Sequence, residues 1–531
     1  MSRKPDRRTG TGTGSGAGVG LGGGRTHVVA VVVTEPADAV PLVALEPTGA
    51  EIAVVCLRAG AKDGRAALDR ALTGAADRGC RVLGGPRVLG ADGTDDPATV
   101  AALLDALRDL EPERLHTLDP DPAHTSYDKA SGMPTYDVPA EHGETAVGAL
   151  AAARAWQAET GRPLHVDCHR AHADPESGVV ACRRYPVPAN WLSAGFDGRL
   201  TAFLPTAAGV VRRHQDPQGR WSAPEPVEGP GLLPGLLVVR DPHGFPHLFA
   251  LRRTARDDGG ADVEVVHAAQ YRTSEPPTPW QSVGGPNAVD WRRGRAVGFP
   301  AAAFDAAGNL FVFVRNFGHS ISWRCLSADG GWTKWQHLSG LRVADDLVAV
   351  TGPHGGVEVY GRVRDTPGVV RWYPGQGGAW TEDRTVPFAA RPGTLTPAPE
   401  PGAVLFRDLR TNEACVWRPG AQAPFPLGDA GGSGPLAAVR GVEMDGWTYS
   451  VLVAQGTGGT CAVGAYPEGR PDTGVWWQDL GAPSYGAPAA AVTRTGLLTL
   501  AARTADRQLL TARREERPGA LTFTDWRPAR G

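Results

Sequence analysis

Acids and histidines gather at four places in the first part of the sequence. A continuous apolar run, His27–Val33, leads straight into Thr34-Glu35-Pro36-Ala37-Asp38-Ala39. A second stretch, LDPDPAHTSYD from Leu118 to Asp128, carries His124. A third, Ala140-Glu141-His142-Gly143-Glu144-Thr145-Ala146, opens an Ala-rich segment. A fourth holds His165, Cys168, His169 and His172, ahead of RRYPVPANWL from Arg183 to Leu192. Carboxylates and imidazoles held together bind divalent metals or move protons. Phosphate and nucleophile chemistry lack their signatures. There is no G-x-x-x-x-G-K-S/T and no G-x-S-x-G, and the Gly-rich residues 10–24 precede the first strand, the wrong side for phosphate.

These residues can act together only if the intervening elements bring them to one place. His27–Val33 and Glu51–Leu57 are continuous apolar runs, as in strands buried on both faces. Ala61–Arg78 reads as a helix. So does Pro97–Leu110, with proline at its start and Val100, Leu103, Leu104 and Leu107 on one face. Arg81–Leu83 and Arg114–Leu118 read as strands, Gly143–Glu159 as a helix and Leu164–Cys168 as a strand. This alternation predicts a parallel sheet with helices on both faces, whose ligands sit at the carboxyl ends of the strands. On such a strand His165 and His169 face one side and Cys168 the other. That run therefore reads as a strand with a surface loop rather than a metal centre.

The order of these motifs resembles the PIG-L family of zinc-dependent N-acetylglucosaminyl de-N-acetylases, over about residues 27–192. LDPDPAHTSYD and the closing RYP…NWL are the specific matches. The resemblance implies a Rossmann-like α/β fold. It also implies a zinc held by a His and an Asp of H-P-D-D and by the last His of D-H-x-D-H, with the other Asp of H-P-D-D as general base. Carried over, Glu35 stands at the first zinc ligand, Ala37 at the general base, Asp38 at the metal-binding Asp and Glu144 at the last zinc ligand, while His142 falls on a spacer. The implied metal set Glu35, Asp38 and Glu144 is all carboxylate and suits Mg²⁺, Ca²⁺ or Mn²⁺ better than Zn²⁺. Ala37 cannot accept a proton, and losing a general base typically costs about 10²- to 10⁴-fold in rate. The expectation is a degenerate, inactive deacetylase site without a cofactor, lined by His124 and His142. The alternative is a hydrolase that removes acetyl groups from an N-acetylated amino sugar with an altered Zn²⁺, Mn²⁺ or Mg²⁺ site.

After about Tyr185 the helical pattern stops. Short β-type runs take over, broken by Gly, Pro and Asp. Phe299–Gly340 is the clearest unit: strand, D-x-x-G turn, strand, turn, strand, Gly-Gly turn, then a strand carrying Trp332 and Trp335. Other units close on Trp221, Trp280, Trp380, Phe425, Trp477 and Trp526, near fifty residues apart. About that length fills one propeller blade, and seven closing positions predict seven blades. This half resembles sialidase-like and fucose-lectin-like propellers. Trp323, Trp372 and Trp417, with Arg315 and Arg371 nearby, either stack on sugars or fill the wedges between blades.

The expected organisation is thus a disordered Gly-rich tail over 1–25, an α/β domain over 26–188 and a β-propeller over 189–531. The 531 residues are 41 % apolar and 21 % charged with a net charge of −3. That excludes a wholly disordered chain and gives no basic footprint for nucleic acid. No apolar run approaches the roughly 18 residues of a membrane-spanning helix. Arg7-Arg8 is not followed by a signal-peptide core, which is read as a cytoplasmic location. The expected partners are a carbohydrate or glycoconjugate, with protein as the second class.

Overall fold

The computed structural model describes residues 27–46, 49–91, 96–121, 126–127, 134–135, 139–174, 178–327, 329–504, 508–517 and 521–529. The expected tail 1–25 and His124 lie outside the described residues, as does the side chain of His172.

The first part runs β1 (Val28–Val33), α1 (Pro36–Val43), β2 (Glu51–Cys56), α2 (Lys62–Asp77), β3 (Arg81–Val82), β4 (Arg87–Val88), α3 (Pro97–Leu110) and β5 (Arg114–Leu118). It continues with β6 (Ser126–Tyr127), β7 (Pro134–Thr135), α4 (Ala140–Thr160), β8 (His165–Asp174) and β9 (Gly178–Arg183). The sheet order is β3-β2-β1-β5-β8-β9, with β4 also on β2. All pairings in it are parallel except β8 with β9. The valine run of β1 explains the layering. Val29, Val31 and Val33 pack with α1 and α2, while Ala30 and Val32 pack with α3 and α4. Both faces are covered, so β1 needs no polar side chain. Helix α3 starts where the sequence says: the Asp96 carboxylate accepts from the Ala98 and Thr99 N–H groups at 2.7 and 2.9 Å, with Pro97 next.

Two elements differ from the sequence reading. Residues 36–43 form a helix with Pro36 in its first turn and Pro41 inside it, a proline content that masks helical periodicity. The run through His172 is no surface loop: the strand continues to Asp174 and turns back as β9.

From Leu192 to Pro528 seven antiparallel sheets of four or five strands follow one another. The innermost strand of the last, Ala489–Val492, packs against that of the first, Leu192–Ala194, closing a seven-bladed β-propeller. Trp191 Nε1 donates to the Ala487 carbonyl at 2.9 Å across this seam. The aromatics at the seven expected closing positions, Trp332 and Trp335 sharing one, all sit at the start of, or just before, the outermost strands. Two of them show what they do: Trp477 Nε1 donates to Leu427 O at 2.7 Å and Trp526 Nε1 to Leu480 O at 3.2 Å, each in the preceding blade. The D-x-x-G turns form because one carboxylate satisfies two backbone donors. Asp305 accepts from the N–H groups of Ala307 and Asn309 at 2.9 and 2.8 Å, and Gly308 takes the φ of 86° that the turn requires.

One apolar cluster joins the two parts. It runs from Ala30 and Val32 through Trp156 of α4 to Phe249, Phe299 and Val312 of the blades. No helix among the described residues is long and apolar enough to cross a membrane.

The second blade buries two histidines, His247 and His267, with Nδ1 and Nε2 2.9 Å apart. Burial pushes His247 down to about 4, against a small opposing effect of Asp241, and burial plus His247 pushes His267 down to about 3. Both bind protons more weakly folded than unfolded, where a histidine titrates near about 6.5. Stability should therefore fall as pH drops from about 6.5 toward about 4. The urea midpoint measured across that range should show this, and His267→Phe should flatten the slope. Parallel profiles for the two proteins would contradict it.

Candidate functional site

The carboxyl end of β1 holds the first group of expected site residues. Glu35 caps α1, and its backbone N–H donates to Asp38 Oδ2 at 2.9 Å. The other Asp38 oxygen lies 3.2 Å from His142 Nε2. The Thr34 and Thr145 hydroxyls, 2.8 Å apart, tie the end of β1 to the start of α4 and so set this register. His142, on a spacer position in the family motif, is thus the residue that reaches Asp38. Ala37 is exposed on the first turn of α1, with Gly64 close against it. Glu144 is exposed on α4.

These residues do not fit the tetrahedral zinc centre that the resemblance implies. One Asp38 oxygen is engaged by the Glu35 N–H, and the other faces His142. Among the described residues no three His, Cys, Asp or Glu side chains are grouped to hold a metal. The run in β8 is divided by the strand's alternation. Cys168 enters the apolar cluster, whereas His169 Nε2 lies 2.7 Å from His116 Nδ1. His116 Nε2 in turn lies 2.6 Å from the Glu46 carboxylate. Burial favours a neutral Glu46, but Arg114 and His116 outweigh it and hold its carboxyl down at about 2.

The two acids of LDPDP have a role that the sequence does not display. Asp119 accepts from Arg170 Nε at 2.6 Å and lies 3.3 Å from Arg184 Nε. Asp121 accepts from Arg295 Nη2 at 2.7 Å and lies 3.2 Å from Arg253 Nε, both arginines of the propeller. Asp345, also of the propeller, bonds Arg170 from one side and Arg315 from the other. Burial alone would raise the Asp345 pKa, but Arg170, Arg315 and Arg184 hold it well below the usual carboxylate range. The carboxyl ends of β5 and β8, where an α/β sheet usually keeps its ligand, are where the propeller docks.

Strand alternation decides which propeller face is left. Loops after the second and fourth strands of each blade point toward the α/β part, as Ala207, Leu232, Arg295 and Tyr485 show through their contacts with it. Loops after the first and third strands lie on the opposite face. Four exposed aromatics sit in or at the edge of those loops: Phe196, Tyr271, Trp447 and Trp476, between 60 % and 90 % exposed. The Arg494 guanidinium stacks on the Phe196 ring at 4.7 Å. Thr273, two residues from Tyr271, abuts Gly195, the neighbour of Phe196. The tryptophans singled out in the sequence are elsewhere. Trp372 and Trp417 are 2 % and 3 % exposed between blades, and Trp323 stacks on Phe311. Arg315 and Arg371 are paired with Asp345 and Glu358.

No protein-family model and no curated protein matches the sequence. Among solved structures, the chain is similar to the BP39L lectin from Burkholderia pseudomallei: 16 % identity over 65 % of this chain and 99 % of that one, TM-score 0.46. It is similar to the Aleuria aurantia lectin AAL at 13 % identity over 57 % of this chain and 98 % of that one, TM-score 0.35. It is also similar to the Hadza microbial sialidase Hz136 at 13 % identity, TM-score 0.37, covering 51 % of this chain and 63 % of the sialidase. Likeness this distant concerns the propeller alone and says nothing of a ligand.

Asp345→Ala should strand the buried Arg315 without a counter-ion, leave Arg170 with Asp119 alone and cost about 3–5 kcal/mol. Urea denaturation checks this. A loss under about 1 kcal/mol would show that the network holds nothing.

Proposed function

We propose that the chain is a carbohydrate-binding protein: a propeller that takes glycans on its open face, carried by a Rossmann-like, PIG-L-like α/β domain without deacetylase activity. The observation that carries the reading is the Phe196 ring, 64 % exposed beneath Arg494, in a loop that meets the loop of the 60 % exposed Tyr271 through Gly195 and Thr273. A pyranose stacks its C–H face on an aromatic ring, while charged and hydroxyl groups at the rim fix its hydroxyls. An exposed ring already flanked by a guanidinium supplies both. Three things support the loss of hydrolysis: Ala37 cannot serve as a base, Asp38 is engaged by the Glu35 N–H and His142, and Asp119 and Asp121 are engaged by arginines.

A second reading rests on the same His142–Asp38 pair, because an imidazole beside a carboxylate is a usable start for a metal-dependent hydrolase of N-acetylated amino sugars. The two readings separate cleanly. A glycan array followed by titration should give binding that Phe196→Ala weakens at least about tenfold, roughly 1.4 kcal/mol, without shifting the melting temperature. Acetate release from N-acetylglucosamine conjugates with added Zn²⁺ or Mn²⁺ should stay at background. Release that vanishes in Asp38→Asn would instead establish the hydrolase.

A further inference from the structure

A cavity of about 40 Å³ lies between β8 and the last blade, away from the carboxyl ends of the strands. That is room for more than one water molecule. His165, Asp167, Arg183, Tyr485 and Arg503 line it together with four prolines and Val187.

The charges around it do not balance. Glu46 lies 3.2 Å from Arg114. Asp167 lies 2.8 Å from Arg114 and 3.5 Å from Arg183, and accepts from the Tyr485 hydroxyl at 2.7 Å. Among the described residues three arginines, including Arg503, thus meet two carboxylates, which leaves one positive charge. That charge falls on Arg503. Its Nη1 is 3.2 Å from His165 Nδ1, but this nitrogen also lies 3.0 Å from the Pro205 carbonyl. One imidazole nitrogen cannot both donate to the carbonyl and accept from the guanidinium. Arg503 Nε is buried with no hydrogen-bond partner at all. Burial, partly offset by Tyr485 and Asp167, pulls the guanidinium down to about 10. A half-buried cation with a sealed, unpaired N–H favours an anion.

We propose that this cavity binds a small monocarboxylate, with its carboxylate on the Arg503 guanidinium and a short apolar tail against the prolines and Val187. A carboxylate matches the guanidinium fork and carries the single charge required. Phosphate brings more charge and more oxygens than the proline wall can satisfy, and chloride leaves that wall unused. The site is independent of the glycan face and of the Asp38 region.

The test is titration of the full-length protein with sodium propionate, followed by calorimetry and thermal shift, against sodium chloride and sodium phosphate at equal ionic strength. Propionate is expected to saturate and raise the melting temperature, and chloride and phosphate are expected not to. Arg503→Met should weaken propionate at least about tenfold. Val187→Phe should do the same by filling the cavity while leaving the cation in place, and it decides the matter if Arg503→Met fails to fold. No saturation with propionate, equal responses to chloride or phosphate, or binding that survives Val187→Phe would each overturn the proposal.

Discussion

Five arginines and three aspartates, buried or half-buried, meet where the α/β part joins the propeller, and they cannot be separated without stranding charge. Asp119 and Asp121 come from one side, Asp345, Arg253, Arg295 and Arg315 from the other, and Arg170 and Arg184 join them. Such pairs stabilise little compared with apolar packing, yet breaking one costs several kcal/mol. Their effect is specificity: only one orientation of the propeller pairs all three acids. The apolar cluster that passes from β1 through α4 into the second and third blades then supplies the adhesion.

That docking determines what the α/β part can do. A sheet of this order presents its carboxyl ends to ligands, and here β5 and β8 present theirs to the propeller. The end of β1 keeps a partly open pair, Asp38 with His142. The face of the propeller that points away leaves four large aromatics exposed. Isolated apolar side chains on a surface are ordinary. An exposed ring under a guanidinium is an arrangement a sugar can use.

Local pattern carried most of the fold. The valine run of β1, the Asp96-Pro97 start of α3 and one closing aromatic per blade are all short-range signals, and each appears where the sequence puts it. What escaped was hidden by proline or depended on distance along the chain. Pro36 and Pro41 disguise α1, and β9 exists only as the partner of an extended β8. The role of Asp119 and Asp121 could not be read locally, because their partners at Arg170, Arg253 and Arg295 lie far along the chain. The same holds for Arg315: its charge is visible in the sequence, but the Asp345 that neutralises it is not visibly its partner. His142 reaches Asp38 from a spacer position because Thr34 and Thr145 fix the approach of α4, a register no motif states.

The central claim is that Asp119 and Asp121 serve docking, so that the α/β part and the propeller unfold together. Pulse-labelled hydrogen exchange along a urea gradient, read by mass spectrometry on peptides from β1, β5 and the third blade, tests it directly. The account predicts one midpoint for all three sets of peptides. A midpoint for β1 and β5 well separated from that of the blade would mean that the two parts only touch, and that the acids of LDPDP are free for another role.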